Sequence, residues 1–400
     1  MSEPVYRLPP DEDSERITIN MGPSHPATHG VLRLVLELDG EVVRSCKPDL
    51  GYLHRGFEKI AENKTWQQFM TWTDRMDYLA PISNNTAYAL AVEKLLGIEV
   101  PRRCKDLRVI LCEMARISAH LLWLGTHALD LGAMTVFFYT FQQREYLYDL
   151  FEKLTGARLT TSTIRIGGMA RDASAEWLGE VGQWNKQIVK IYDECEGLLT
   201  RNRIWVDRTR DIGVMSAEDA IAMSLSGPVL RASGVEWDLR RAQPYLSYPD
   251  YDFEIPVGTV GDTYDRYLVR IEEMRQSSRI IEQALASIPD GPINADAPKV
   301  VLPPKEKVLT SMEDLIHHFI ILTEGIHPPE GEVYHAIEAP KGELGFYIVS
   351  DGAPSAYRCR IRAGAFVNLQ SVERMALGHM VADVVAIIGS LDPVMGEVDR

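Results

Sequence analysis

The most restrictive feature of this sequence is a run of apolar residues at helical spacing that ends on a carboxylate. From 103 to 130, Leu107, Ile110, Leu111, Met114, Ile117, Leu121 and Leu124 recur at steps of three and four, a wide face that only a long, packed helix can use. Residues 121–141 are apolar enough to be mistaken for a membrane span. Asp130 near the middle would cost roughly 2.5–3.5 kcal/mol to insert, and Gly125, His127 and Gly132 stand beside it. Two buried helices broken around 131–134 are expected instead, with Asp130 the one carboxylate of an apolar core.

The same periodicity continues on both sides. Residues 65–97, interrupted at Pro81 and stopped at Gly97, 135–155 ending at Gly156, 174–200, and 262–287 opened by Asp262 as N-cap all read as long helices. Residues 201–261 hold only short elements and are expected to wrap the bundle, and Gly258-Thr-Val-Gly261 is too weak for a phosphate loop. Two-residue alternation marks a hairpin over 31–46 with its turn at Asp39-Gly40-Glu41. A second hairpin covers 333–349 around Pro340-Lys341-Gly342, then a strand at 357–362 and a helix at about 379–389. The expected fold class is α+β: a central bundle of long helices with small antiparallel sheets near both chain ends. It divides into an N-terminal loop and hairpin (1–52), a bundle core (53–290) and a C-terminal α/β extension (291–400) within one structural unit.

A formal net charge of −15 over 400 residues argues against nucleic-acid binding, which needs a basic excess. The five cysteines (46, 104, 112, 195, 359) form no CxxC, so neither an iron–sulfur cluster nor a structural zinc is expected on this chain. Their odd number suits reduced thiols. The segment 1–16 is acidic without an apolar run and does not read as a signal or transit peptide. No glycine fingerprint for a nicotinamide cofactor is present.

Chemistry concentrates elsewhere. Met21-Gly-Pro-Ser-His-Pro-Ala-Thr-His-Gly30 holds two histidines, His25 and His29, on a backbone stiffened by Pro23 and Pro26; they either tie the loop together or serve a site. Leu53-His-Arg-Gly-Phe-Glu-Lys-Ile-Ala-Glu-Asn-Lys64 is a short amphipathic helix start in which Arg55, Glu58 and Lys59 could pair. That run resembles, position by position, the signature of the D-type subunits of proton-translocating NADH-quinone oxidoreductase, respiratory complex I. The resemblance extends through 22–30, Asp74-Arg-Met-Asp-Tyr78, 91–97, 226–234 and Gly389-Ser-Leu-Asp-Pro-Val-Met-Gly-Glu-Val-Asp-Arg400, nearly the full length.

That family is similar to the large subunits of nickel–iron hydrogenases, which hold metal through two CxxC pairs, the second in an Asp-Pro-Cys-x-x-Cys tail. Here the tail carries Val394 and Glu397 where thiolates are needed, and 75–80 contains no cysteine, so hydrogenase chemistry is excluded on ligand grounds. What the resemblance implies is a quinone-headgroup site in the place of the metal. Its quinone ligands and proton donors fall on His29 and Tyr78, the acid partner of that histidine on Asp130, further pocket positions on Leu122, Thr126 and Phe137, and a residue near the last iron–sulfur cluster on Arg75. An imidazole and a phenol suit the role, because a reduced quinone needs two protons. The implied substrate is ubiquinone or menaquinone. The implied 4Fe-4S cluster belongs to a B-type partner, and C-type, I-type and membrane-embedded H-type subunits are the further implied partners of a hetero-oligomer on the cytoplasmic face of the bacterial inner membrane. Many family members carry a histidine in the loop after Gly156, where this chain has Leu159-Thr-Thr-Ser-Thr163. Two alternatives stay open: an equivalent subunit of a complex fed by ferredoxin or another donor, and a hydrogenase-like scaffold without catalytic residues.

Overall fold

Proline, glycine and polar N-caps set the limits of many helical elements in the computed structural model, which describes residues 16–400. Residues 1–15, with most of the acidic N-terminal segment, lie outside the described residues. An antiparallel sheet opens the fold, with β1 (Arg16–Met21), β2 (Arg33–Asp39) and β3 (Val42–Asp49) in that order. The β2–β3 hairpin matches the sequence reading. Sequence alternation did not reveal β1, which is short and largely exposed.

Then follow α1 (Phe57–Ala61), α2 (Trp66–Thr73), α3 (Pro81–Leu96), α4 (Arg102–Asp130) and α5 (Met134–Thr155). Pro81 starts α3, where its missing N–H has no helical partner to lose, and Gly97 ends it at φ 66°, a left-handed conformation that suits glycine. The small ladder β4 (Ile164–Arg165) and β5 (Gly168–Met169) precedes α6 (Ala175–Leu199), whose N-cap Ser174 accepts from the Trp177 amide at 3.2 Å. The wrapping segment holds α7 (Arg203–Thr209), α8 (Ala217–Ala222), α9 (Pro228–Ala232) and α10 (Leu239–Ala242). Its Gly258–Gly261 turn gives the amides of Thr259 and Val260 to Asp265 at 2.8 and 2.6 Å, so they are not free for a phosphate. Next comes α11 (Thr263–Ser287), capped by Asp262, which accepts from the Asp265 amide at 2.7 Å.

The C-terminal part holds α12 (Lys305–Thr310), α13 (Met312–Thr323), the sheet β6 (Gly331–Ala339), β7 (Gly342–Ser350) and β8 (Arg358–Arg362), then α14 (Gly364–Leu369), α15 (Val372–Ala376), α16 (Val381–Leu391) and α17 (Met395–Asp399). The α+β expectation holds. A large apolar core joins α1–α6 and α11 to the C-terminal sheet, and a second cluster packs β2 and β3 against α9, α14–α17 and the preceding loops.

Two expectations need correction. The break at 131–133 is where the sequence put it, but α5 does not start buried: Met134 is 57% and Phe138 63% exposed, because the buried face of this helix runs through Val136, Thr140, Gln143 and Leu147. In the 53–64 segment, Arg55, Glu58 and Lys59 do not pair together. Lys59 meets Glu62 at 2.5 Å, Glu58 accepts from the Ile361 amide at 3.1 Å, and Arg55 donates to the Arg75 carbonyl at 2.6 Å.

Candidate functional site

The histidine loop is fixed by its own polar groups. His25 caps the 3-10 turn Pro26–Thr28, its Nδ1 accepting from the Ala27 amide at 3.2 Å, while Thr28 Oγ1 donates to the His25 carbonyl at 2.8 Å. Gly22, at φ 86°, passes so close that a Cβ would overlap the Leu32 carbonyl oxygen. His25 is therefore structural. His29 follows in a left-handed conformation (φ 51°, ψ 31°), half-buried, with Nε2 enclosed and without a hydrogen-bond partner. Burial pulls its pKa below the ordinary value; Asp130 opposes the fall and Lys341 adds to it.

Tyr78 sits between α2 and α3 on a turn built by Asp77, whose Oδ1 accepts from the Leu79 amide at 3.0 Å and whose carbonyl accepts from Asn84 Nδ2 at 3.0 Å. The ring is 36% exposed and the hydroxyl makes no hydrogen bond to another described residue. Burial, then Asp77, raise the phenol, while Lys341 and Arg55 pull it down. The C-terminal tail lies against the same turn. A Cβ at Gly396 would fall 2.6 Å from the Met76 carbonyl oxygen, and Asp399 accepts from the amides of Gly51 and Leu53 at 3.0 and 2.6 Å. The start of the 53–64 segment, the 74–78 turn and the 389–400 tail, all of which carry the family resemblance, thus pack together.

Beneath Tyr78 lies a group that sequence reasoning missed. The turn between β6 and β7 points into the protein, where Asn368 Nδ2 donates to the Lys341 carbonyl at 2.9 Å and Gly342 abuts Gly227. Lys341 is consequently 1% exposed, and its ammonium lies 3.3 Å from both Asp77 and Asp392. Burial alone would lower it, but Asp392, Asp77 and Glu397 together hold it above its ordinary pKa. Asp392 stays raised by burial despite Lys341 and Arg270. A lysine in a Pro-Lys-Gly turn normally reads as solvated, so nothing local marks it in the sequence.

The α4–α5 corner carries the other expected positions. Leu122, Thr126 and Asp130 share one helix face at i, i+4 spacing. Thr126 Oγ1 donates to the Leu122 carbonyl at 2.9 Å, and Phe137 stacks on Phe141 with ring centroids 4.1 Å apart. Asp130 corrects an expectation: it is not in the apolar core but exposed at the last residue of α4, where the helix runs out into the turn. It stands near enough for its charge to act on His29, whose Nε2 nonetheless makes no hydrogen bond to it. Partial burial of its carboxyl at the helix end still raises the Asp130 pKa, with His29 and then His25 opposing. Arg75 reaches the surface, 3.4 Å from the buried carboxylate of Asp74, which also accepts from Ser162 Oγ. The loop 157–163 therefore abuts the Asp74–Arg75 corner.

The five cysteines are free and buried, and no group of three His, Cys, Asp or Glu among the described residues is arranged to hold a metal. No helix among the described residues is long and apolar enough to cross a membrane.

Comparison with known proteins adds a family. Residues 130–400 match the model for the respiratory-chain NADH dehydrogenase 49 kDa subunit. The chain is 59% identical over 388 residues to the D-type NADH-quinone oxidoreductase subunit of Methylacidiphilum infernorum, covering 97% of this chain and 93% of that protein. It is 56% identical over 387 residues to the D-type subunit of Geobacter sulfurreducens, covering 97% and 99%, and 56% identical over 390 residues to the second D-type subunit of Chloroflexus aurantiacus, covering 97% and 95%. With a family model over more than half its length and relatives aligned end to end, the chain belongs to the family of the 49 kDa, or D-type, subunits of respiratory-chain NADH-quinone oxidoreductase.

Proposed function

We propose that the chain is the quinone-site subunit of the peripheral arm of NADH-quinone oxidoreductase and acts as part of that oxidoreductase. The names of its relatives favour NADH over ferredoxin as the donor of the whole complex. The observation that carries the assignment of site residues is the shared cation: His29 and Tyr78, distant in sequence, both lie in the field of the buried Lys341 ammonium. Each also has a polar atom without a partner, His29 Nε2 and the Tyr78 hydroxyl, as a headgroup with two carbonyl oxygens requires.

In this reading the headgroup sits between the two. Tyr78 donates a hydrogen bond to one carbonyl oxygen and its proton when reduction makes that oxygen basic, helped by Lys341, which favours the phenolate left behind. His29 binds the other oxygen as a neutral hydrogen-bond donor. The proton it delivers is one it has taken up, and ionised Asp130 favours that imidazolium form. Leu122, Thr126 and Phe137 form the wall nearest Asp130. Electrons arrive from the 4Fe-4S cluster of a B-type partner docked near Arg75. C-type, I-type and H-type subunits complete the assembly on the cytoplasmic face of the bacterial inner membrane, and the substrate is ubiquinone or menaquinone.

Tyr78→Phe in the assembled complex tests the reading. The phenyl ring keeps the packing, so assembly stays intact, while quinone reduction falls by roughly 10²–10⁴-fold, the range of one general acid. Undiminished turnover in the assembled variant removes Tyr78 from the mechanism.

A further inference from the structure

Glu397 is 1% exposed and neither carboxylate oxygen has a hydrogen-bond partner of ordinary geometry. It lies on α17, which begins where the tail passes the turn carrying Asp77 and Tyr78. The charged groups around it come from four directions. Asp77 faces it from the turn after α2, Lys341 from the β6–β7 turn, Arg400 from the end of its own segment, and Arg55 lies beside Gly396. On α14 the amides of Ala365 and Gly364 approach the carboxylate. Arg400 is engaged elsewhere, donating to the Ile361 carbonyl at 2.8 Å, and Arg55 donates to the Arg75 carbonyl.

Lys341 is thus shared by three carboxyl groups, with Arg270 adding its charge only at Asp392. Asp77 and Asp392 already flank Lys341 at 3.3 Å each, so an ionised Glu397 would add an uncompensated buried charge. The third carboxyl is held neutral instead. An apolar side chain would fill the space at lower cost, as Val394 does three residues earlier, so the acid calls for another explanation than packing.

We propose that Glu397 is the proton reserve of the quinone-reduction site, a buried carboxylic acid that resupplies, through Lys341, the proton Tyr78 gives to the reduced headgroup. It touches no substrate and acts through Lys341, and the proposal rests on the role of Tyr78 given above. The steps balance in protons. The Tyr78 O–H bond breaks towards the headgroup oxygen and leaves a phenolate. Lys341 passes one ammonium proton to the phenolate and becomes an amine. The Glu397 O–H bond breaks to restore the ammonium, leaving a carboxylate that solvent reprotonates. The electrons come only from the complex's own donor.

Burial, then Asp77, push the Glu397 pKa up to about 8, with Lys341 opposing, so the reserve is filled at neutral pH and empties as pH rises through that value. The test uses the assembled complex. Infrared spectra of wild type minus Glu397→Gln are expected to show a protonated-carboxyl C=O band at pH 7 that converts to carboxylate around pH 8. Wild-type turnover is expected to fall above that pH, Glu397→Gln to run several-fold slower with unchanged KM and no alkaline fall, and Glu397→Asp to regain the fall, a rescue that a packing role does not give. Absence of the band, or an alkaline profile in Glu397→Gln equal to wild type, overturns the proposal. Should Glu397→Gln fail to assemble, the carboxyl band of the native complex and the Glu397→Asp profile decide by the same criteria. A Tyr78→Phe complex measured alongside separates the two claims. If it is impaired while Glu397→Gln is unchanged, only the reserve fails; if it is unimpaired, the reading of Tyr78 fails as well.

Discussion

His127 illustrates what burial does to an imidazole that nothing supports. It is 1% exposed, wedged between Trp123 and Trp205 with ring centroids 5.4 and 5.3 Å away, and neither ring nitrogen has a partner. Burial first, then Arg270, push its pKa down to about 3 from an ordinary value of 6.5. The folded chain therefore binds fewer protons here than the unfolded chain, so this contribution to stability is complete above pH 6.5 and is lost as pH falls towards 3, at about 1.4 kcal/mol per pH unit. His127→Phe keeps the ring packing without the titration. Thermal unfolding at pH 5 and pH 7.5 is expected to show a smaller acid loss in the variant than in wild type; equal losses would contradict a buried neutral His127. Sequence resolved the residues of this region unevenly. His29 and Tyr78 were named from ordered motif matches, and their surroundings are compatible with the roles given. Asp130 was expected inside and is outside, because helical periodicity tells which face a residue shares but not whether another element covers it. Lys341, Asp77 and Glu397 drew no role, since a charged side chain gives no sign in sequence of being drawn into a core.

The element that shapes the Asp130 corner is the crossing of α4 and α5. Gly125 lets the two helices approach until a Cβ there would overlap Thr140 Oγ1 and lie 3.4 Å from the Phe137 Cα. Gly125→Ala is expected to destabilise by about 1–3 kcal/mol through overpacking and to displace Phe137, and Thr140→Ser, which keeps the hydroxyl, should relieve it less than Thr140→Ala. Chemical denaturation of the three variants gives the order. The loop 157–163 carries the second prediction at this scale. It reaches Asp74 beside Arg75 and presents Thr161, whose buried hydroxyl has no partner, near the position where many family members have a histidine. A histidine beside a cluster binds its proton more tightly when the cluster is reduced, which lowers the cluster potential as pH rises. Without one, the cluster proposed above for a partner subunit is expected to vary with pH much less than about 59 mV per unit, the one-proton, one-electron slope. Redox titration of the complex by electron paramagnetic resonance between about pH 6 and 8 reads this directly; a slope near that limit would mean another group titrates with the cluster. Long helices and both hairpins were legible because their periods extend over many residues, whereas β1, α12 and α13 were not, the first for its shortness and the others because their apolar residues do not face the core.

Across the whole molecule, an apolar sequence pattern conceals a charged interior. Arg231 pairs with Glu273 at 2.5 Å and Glu338 at 2.8 Å, and Arg240 with Asp238 at 2.7 Å and Glu113 at 3.2 Å, while His120, its pKa pushed down to about 4 by burial, hydrogen-bonds Glu273 at 2.9 Å, all fully buried between α4, α9, α10, α11 and β6. Removing one partner leaves a buried charge, so Arg231→Met is expected to cost about 3–5 kcal/mol, read as a lowered denaturation midpoint of the chain. The surface departs from its pattern in the opposite sense. On α12 and α13, Leu309 is 76% and Phe319 64% exposed, with Met312, Leu315 and Leu322 alongside. A patch of this kind is rare on a monomer and more usual where a partner docks. The net charge of −15 opposes self-association only weakly at physiological salt, because charges further apart than about 8 Å are screened while apolar contact is not. The chain expressed alone should therefore self-associate through this face, and Leu309→Ser with Phe319→Ser should shift it towards monomer in sedimentation velocity. Because both side chains are solvent-exposed, the unfolding midpoint should stay within about 0.5 kcal/mol of the parent chain. In the complete complex the same pair should lower the fraction of chain retained on purification; a wild-type chain that stays monomeric on its own, or a double variant retained as fully as wild type, would mean that this face meets solvent in the working enzyme.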